Sequence, residues 1–194
     1  MSENGAVGDD EPDFIVVGEK VALGPLRKDL ARSYGRWVNH REVRFGLDNL
    51  GIATPETEEK WVEDNTNKSA EEQPTGAHFT VYDRSDSAPV GTAGLFAISH
   101  VHGHANFGIA LGERRGRGLG TEATRLVLDW GFTVLGLRNV MLEVLTWNEA
   151  AIAAYERAGF RRVGIRRAAV FSRGERADVL FMDAVPEDFG PSAL

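Results

Sequence analysis

Between Asn106 and Ala123 the chain reads Asn-Phe-Gly-Ile-Ala-Leu-Gly-Glu-Arg-Arg-Gly-Arg-Gly-Leu-Gly-Thr-Glu-Ala, a strand pattern that becomes a helix pattern across a glycine-rich turn. The stretch commits the fold to a strand–loop–helix unit and the loop to a particular chemistry. Gly116, Gly118 and Gly120 remove Cβ atoms, so consecutive backbone N–H groups can turn toward one ligand, and the helix opening at Leu119 to Thr121 adds its positive dipole end. Arg114, Arg115 and Arg117 add charge that the whole chain lacks, since 22 basic residues face 29 acidic ones for a net −7. An anion site confined to this loop follows, and a general nucleic-acid surface is excluded. The Gly-Lys-Ser/Thr ending of a magnesium-nucleotide loop is absent, and glycines at every second residue break the dinucleotide spacing. What remains is Arg115-x-x-Gly118-x-Gly120, which is also compatible with a plain tight surface turn or with a site for some other phosphorylated ligand.

The flanking pattern is mixed α/β. Phe14 to Leu26 reads as a strand or interrupted hairpin, and a helix follows near Leu30 to Trp37. Thr54-Pro55-Glu56 starts a helix that runs to about Asn65. Ala77 to Asp83, Pro89 to Ser99 and Ala105 to Leu111 read as antiparallel strands, the first turn being Arg84 to Ser87. Thr121 to Leu135 has helical spacing with Gly136 as its stop, and Asn139 to Thr146 is an apolar strand. Asn148 caps a helix that ends at Gly159. Arg161 to Phe171 and Ala177 to Val185 close as a hairpin around Ser172-Arg173-Gly174-Glu175.

A chain of 194 residues with 42% hydrophobic and 26% charged side chains is expected to form one domain over 14–186, between an acidic, disordered segment 1–13 and a C-terminal tail 187–194. With no cysteine there is no disulfide, no thiolate metal site and no thiol nucleophile. His100, His102 and His104 alternate, but Gly103 places them in a turn and no Asp, Glu or Cys completes a ligand set, so no metal is expected. No apolar run is long enough to span a bilayer and the N-terminus lacks a basic apolar leader, which points to the cytoplasm and to no membrane partner. Trp37 and Trp61 read as helical core aromatics, with an acceptor-lining role as the alternative.

The loop pattern carried by Arg115, Gly118 and Gly120 resembles the pyrophosphate loop of the GNAT superfamily of acyl-CoA-dependent N-acetyltransferases. A second match is Leu142-Glu-Val-Leu-Thr-Trp-Asn-Glu-Ala-Ala-Ile-Ala-Ala-Tyr-Glu-Arg-Ala-Gly-Phe160, similar to the family's strand, Asn-initiated helix, Tyr and Gly-Phe exit. Trp37-Val-Asn-His-Arg-Glu-Val and the segment after Gly159 resemble the branch of ribosomal-protein N-terminal and polyamine acetyltransferases. The resemblance runs from about Val16 to Pro186 and is weak before Ala77.

That resemblance implies a central, mainly antiparallel mixed sheet, splayed between its two middle strands and flanked by helices. It implies acetyl-CoA as cosubstrate, with pyrophosphate on Arg114, Arg115, Gly116, Arg117, Gly118, Leu119, Gly120 and Thr121, and pantetheine along the backbone of Ile109, Ala110 and Leu111. Asn148 is a further cofactor contact, Tyr155 the acid beside the sulfur, and Glu143 the base acting through water. Glu113 is the weaker base candidate, because it adjoins the arginines and can pair with Arg114 or Arg117. Direct attack in a ternary complex is expected, since no cysteine can form an acyl-enzyme. The acceptor is a primary amine on a protein N-terminus, a polyamine or a small molecule. The chain is expected to act as a monomer or homodimer. The reading from a different class is a CoA-binding sensor or structural module without turnover.

Overall fold

The computed structural model describes residues 12–47, 51–189 and Ser192, so the expected acidic segment lies almost wholly outside it. The elements are β1 (Val16–Val17), β2 (Val21–Pro25), a 3-10 turn (Lys28–Leu30), α1 (Ala31–Asn39), α2 (Arg41–Gly46), α3 (Pro55–Ser69), β3 (Gly76–Asp83), β4 (Ala88–Ser99), β5 (His104–Leu111), α4 (Leu119–Thr133), β6 (Asn139–Leu145), α5 (Glu149–Ala158), β7 (Arg161–Ser172), β8 (Glu175–Ala184) and α6 (Pro186–Phe189). Eight strands form one sheet in the order β1-β2-β3-β4-β5-β6-β8-β7. Every neighbouring pair is antiparallel except β5 with β6.

That one parallel pair positions the site. β5 and β6 match only at His104↔Asn139, Ala105↔Val140 and Asn106↔Met141. Beyond these, β5 stays on β4 as far as Leu111 and β6 stays on β8 as far as Leu145, so the two strands diverge. The sheet is therefore splayed between its middle strands.

Strand alternation sorts the two faces. Val140, Leu142 and Val144 join Leu95, Phe107, Val127, Ile152 and Met182 in the principal core, with Tyr155 packed against it. On the opposite face Tyr34, Trp37, Val62 and Leu26 form a second cluster, so Trp37 is a core residue and Trp61, partly buried, packs against it. A third cluster gathers Leu145, Ala177 and Val179 with Trp147 and Phe181.

Local signals account for most boundaries. Thr54 and Thr57 make a reciprocal capping box at the start of α3. Asn148 Oδ1 accepts the Ala151 N–H, and Gly159 ends α5 at φ 117°. Two elements depart from expectation. Residues 41–46 form a short helix that the mixed Arg-Glu-Val-Arg-Phe-Gly sequence does not announce. Residues 186–189, which run from the last residue of the expected domain into the expected tail, form a helical turn whose Phe189 is buried edge-on to Phe132, 5.4 Å between ring centroids. Burial of one aromatic ring is enough to dock so short a segment. Among the described residues no helix is long and apolar enough to cross a membrane.

Candidate functional site

The loop between β5 and α4 is held by backbone that L residues adopt reluctantly. Gly116 and Gly118 lie at φ 79° and 84°, and Arg114, which has a side chain, at 53°. Gly118 is the N-cap of α4, and the first intrahelical bond runs from Glu122 N–H to Gly118 C=O at 3.2 Å. The N–H groups of Leu119, Gly120 and Thr121 precede that bond and find no acceptor among the described residues, so they stand as a row of donors at the positive end of a fifteen-residue helix.

The three arginines do different things. Arg114 donates to Asp83 at 2.8 Å and to both carboxylate oxygens of Asp86 at 2.8 and 2.6 Å. Arg117 donates to the same Asp83 at 3.1 Å. The Asp83 carboxyl, which also accepts from Ser85 N–H and Oγ, is held well below the usual carboxylate range, first by Ser85 and then by Arg114. These side chains brace the loop on the β3–β4 turn. Arg115 reaches the other way, to Glu42 of α2 at 2.7 Å and to His40 at 3.3 Å. A further charge close to Gly118 comes from Lys20 in the β1–β2 turn, whose Nζ lies 3.6 Å from the position a Cβ at Gly118 would take. Lys20 makes no ion pair among the described residues, and its own backbone N–H is held by Glu122 at 2.9 Å. From there a cleft of about 510 Å³ runs along α4 past Arg125 and Arg157. Nothing in the sequence could mark Lys20, which is brought to the loop only by the β1–β2 hairpin.

Below the loop, the strand register decides which main-chain groups face the splay. Gly112 N–H donates to Val90 C=O at 3.0 Å and continues the β4–β5 register. By antiparallel alternation Ala110 therefore points its backbone groups at β4, while Ile109 and Leu111 point theirs into the gap. The main-chain groups of Ala110 are thus engaged with β4, whereas those of Ile109 and Leu111 face the gap.

Tyr155 and Glu143 flank the same gap from opposite faces. Tyr155, on α5, packs edge-on to Phe107 and Phe160 at 6.2 and 6.0 Å. Its hydroxyl has no hydrogen-bond partner among the described residues, and burial pushes the phenol up to about 12. Glu143 is exposed on the other face of β6, opposite Phe181. Glu113 is not paired with Arg114 or Arg117 as expected; it takes Arg36 at 3.3 Å and Trp37 Nε1 at 3.2 Å, which removes it from the gap. Asn148 caps α5 and faces Gly46 of α2, where an added Cβ would lie 3.4 Å from its amide nitrogen.

Residues beyond the sequence reading close the Glu143 side. The two central residues of the β7–β8 turn, Arg173 and Gly174, both have positive φ (57° and 88°), a tight hairpin geometry. It lays the Arg173 guanidinium 3.7 Å over Trp147 and 5.6 Å from the Phe45 ring of α2. Only the unexpected α2 makes this wall possible. His100, His102 and His104 lie away from it at the β4–β5 turn. His100 contacts Pro74 C=O, and His102 stacks on His104 at 5.8 Å.

A family model described as the acetyltransferase (GNAT) domain matches residues 20–161, well over half of the chain, and the chain belongs to that family. Spermidine N(1)-acetyltransferase of Escherichia coli K12 is 38% identical over 98 residues, 50% of this chain and 53% of that protein. The chain thus spans about half the length of that relative. Mouse alpha/beta-tubulin-N-acetyltransferase 9 is 27% identical over 78% of this chain and 66% of its own. Among solved structures, Vibrio cholerae spermidine N-acetyltransferase in complex with CoA and spermine superposes with a TM-score of 0.77 at 24% identity, covering 89% of this chain and 99% of that one. Ribosomal-protein-S5-alanine acetyltransferase from Vibrio fischeri gives 0.78 at 18% identity over 92% and 100%. At these identities the structural likenesses establish the fold.

Proposed function

We propose that the protein is an acetyl-CoA-dependent N-acetyltransferase that acts on a primary amine. The observation that carries this reading is the row of unbonded N–H groups at Leu119 to Thr121, placed at the mouth of the β5–β6 splay. A pyrophosphate fits there, because donors and the α4 dipole converge on one point and Lys20 adds a full charge. Arg125 and Arg157 line the continuing cleft and add positive charge to it. The main-chain groups of Ile109 and Leu111 suit the amides of a pantetheine arm.

Acetyl-CoA supplies an activated thioester carbonyl, and the chain supplies orientation and proton management. A backbone N–H of Ile109 or Leu111 polarises the carbonyl oxygen. Glu143, open to solvent on the acceptor face, takes a proton from the incoming amine through water, which leaves the nitrogen lone pair free to attack. The C–N bond forms as the C–S bond breaks. Tyr155, kept protonated by its burial, donates to the departing thiolate. The products are the N-acetyl amine and CoA. No acyl-enzyme is needed, so both substrates bind before either product leaves.

The test is thiol release from acetyl-CoA across a panel of amines, comprising peptides with free Ser and Ala N-termini, spermidine and small-molecule amines. Turnover that falls in Tyr155→Phe and Glu143→Gln supports the reading. CoA binding without turnover on every amine refutes it and favours a CoA sensor. Protection against heat by nucleotides lacking pantetheine, equal to that by CoA, points to a different phosphorylated ligand.

A further inference from the structure

The charge around the Glu143 side of the splay has the wrong sign for a polycation. A cleft of about 650 Å³ lies between α2 and the β7–β8 turn, lined by Arg41, Glu42, Phe45, Phe171, Arg173 and Gly174. Its one carboxylate, Glu42, is bound to Arg115 at 2.7 Å. Arg41 and Arg173 lie 5.8 and 5.6 Å from the Phe45 ring and make no ion pair among the described residues. Arg166, Arg167 and Arg176 continue the positive surface along the same hairpin, exposed and also without ion pairs. Over 161–184 there are six arginines against three carboxylates. Two of those carboxylates are engaged, Asp178 by the Ala168 N–H at 2.7 Å and Asp183 by Asn139 at 2.9 Å. Among the described residues only Arg161 and Arg162 of this segment find carboxylates, on Asp188 and Glu156.

β7 is also the outermost strand of the sheet, so among the described residues one edge of its backbone is unpaired. Residues 161–168 are exposed throughout, with Val163 and Ile165 at 61% and 60%. An exposed open edge that mixes Val163 and Ile165 with arginines invites an extended chain. A second copy of β7 would set arginine against arginine, whereas an acidic peptide would complement both the edge and the charge.

We propose that the acceptor is the α-amine of a peptide with acidic residues close behind its N-terminal residue, running from Glu143 across Phe181 of β8 to Arg166 and Arg167 of β7, with Arg173 further along the same hairpin. This rests on the transferase reading above and leaves its bond changes as written. The test is a comparison of kcat/KM, by thiol release, for equal-length peptides Ser-Asp/Glu and Ser-Lys/Arg, for the acidic peptide with a blocked N-terminus, and for spermidine. Expected is a preference of about tenfold or more for the free acidic peptide, weakened by salt, no turnover of the blocked one, and a narrowed or inverted ratio in the surface variant Arg166→Glu/Arg167→Glu. Faster turnover of spermidine or the basic peptide, or a ratio indifferent to charge reversal, overturns the proposal while the transferase reading stands. Retention of a labelled RNA oligonucleotide with no discrimination among peptides overturns it in favour of a nucleic-acid partner. Failure of every acceptor in the presence of bound CoA removes the transferase reading, and this proposal with it.

Discussion

Tyr155 was legible as a residue type at a helical position, but its setting comes from Phe107 and Phe160, whose rings pack edge-on against it. With the phenol pushed up to about 12, it stays protonated across the working range. In Tyr155→Phe, kcat is expected to fall by about 10²- to 10⁴-fold with little change in the KM for acetyl-CoA. In the wild type, the kcat–pH profile should rise with deprotonation of the amine and its base and show no loss from this phenol below about pH 11. His78 was unreadable from the sequence. The structure packs it edge-on to Trp61 at 5.8 Å with Nε2 buried and unpartnered, and burial, with Lys68 second, lowers it to about 4. An imidazole that titrates near 6.5 unfolded and near 4 folded binds more protons when unfolded, so its penalty starts as pH falls below 6.5 and levels off near 4. Urea titrations should therefore show a stability about 2 kcal/mol lower at pH 5 than at pH 7.5, and His78→Phe should flatten that part of the slope.

Among the elements, the β5–loop–α4 unit was the most legible, because its glycines, strand alternation and helical spacing all point to one geometry. Gly118→Ala places a Cβ at φ 84°, a strain of about 1–2 kcal/mol. That strain acts on the donor row itself, so CoA affinity should drop by roughly tenfold or more while far-UV circular dichroism is unchanged. The loop's braces were not legible. The Asp83 and Asp86 partners of Arg114 sit 31 and 28 positions away in sequence, and Glu42 sits 73 before Arg115. Helix α2 went unseen for a local reason, since six residues carry too little periodicity to distinguish a helix from a turn. With it went the wall of Phe45, Arg41 and Arg173.

For the whole molecule, fold class and the order of the later elements followed from the sequence because each is set by local pattern. The splay was foreseen only through family resemblance. It arises from two strands choosing different partners, which no local pattern records. The C-terminus shows the same limit. A few acidic and small residues read as tail, yet Phe189 is 8% exposed and carries the Arg125 guanidinium 4.9 Å over its ring. Phe189→Ala should lower stability by about 3 kcal/mol, seen as a reduced melting temperature, and CoA should restore part of it by mass action. The transferase reading requires the backbone donors from Leu119 to Thr121 to hold the pyrophosphate of CoA at the mouth of the splay. Calorimetric titration of CoA into the wild type and Gly118→Ala at modest ionic strength tests it most directly. Saturable heat in the first and markedly weaker binding in the second is the expected outcome; no heat in the first, or equal affinities in both, would contradict it.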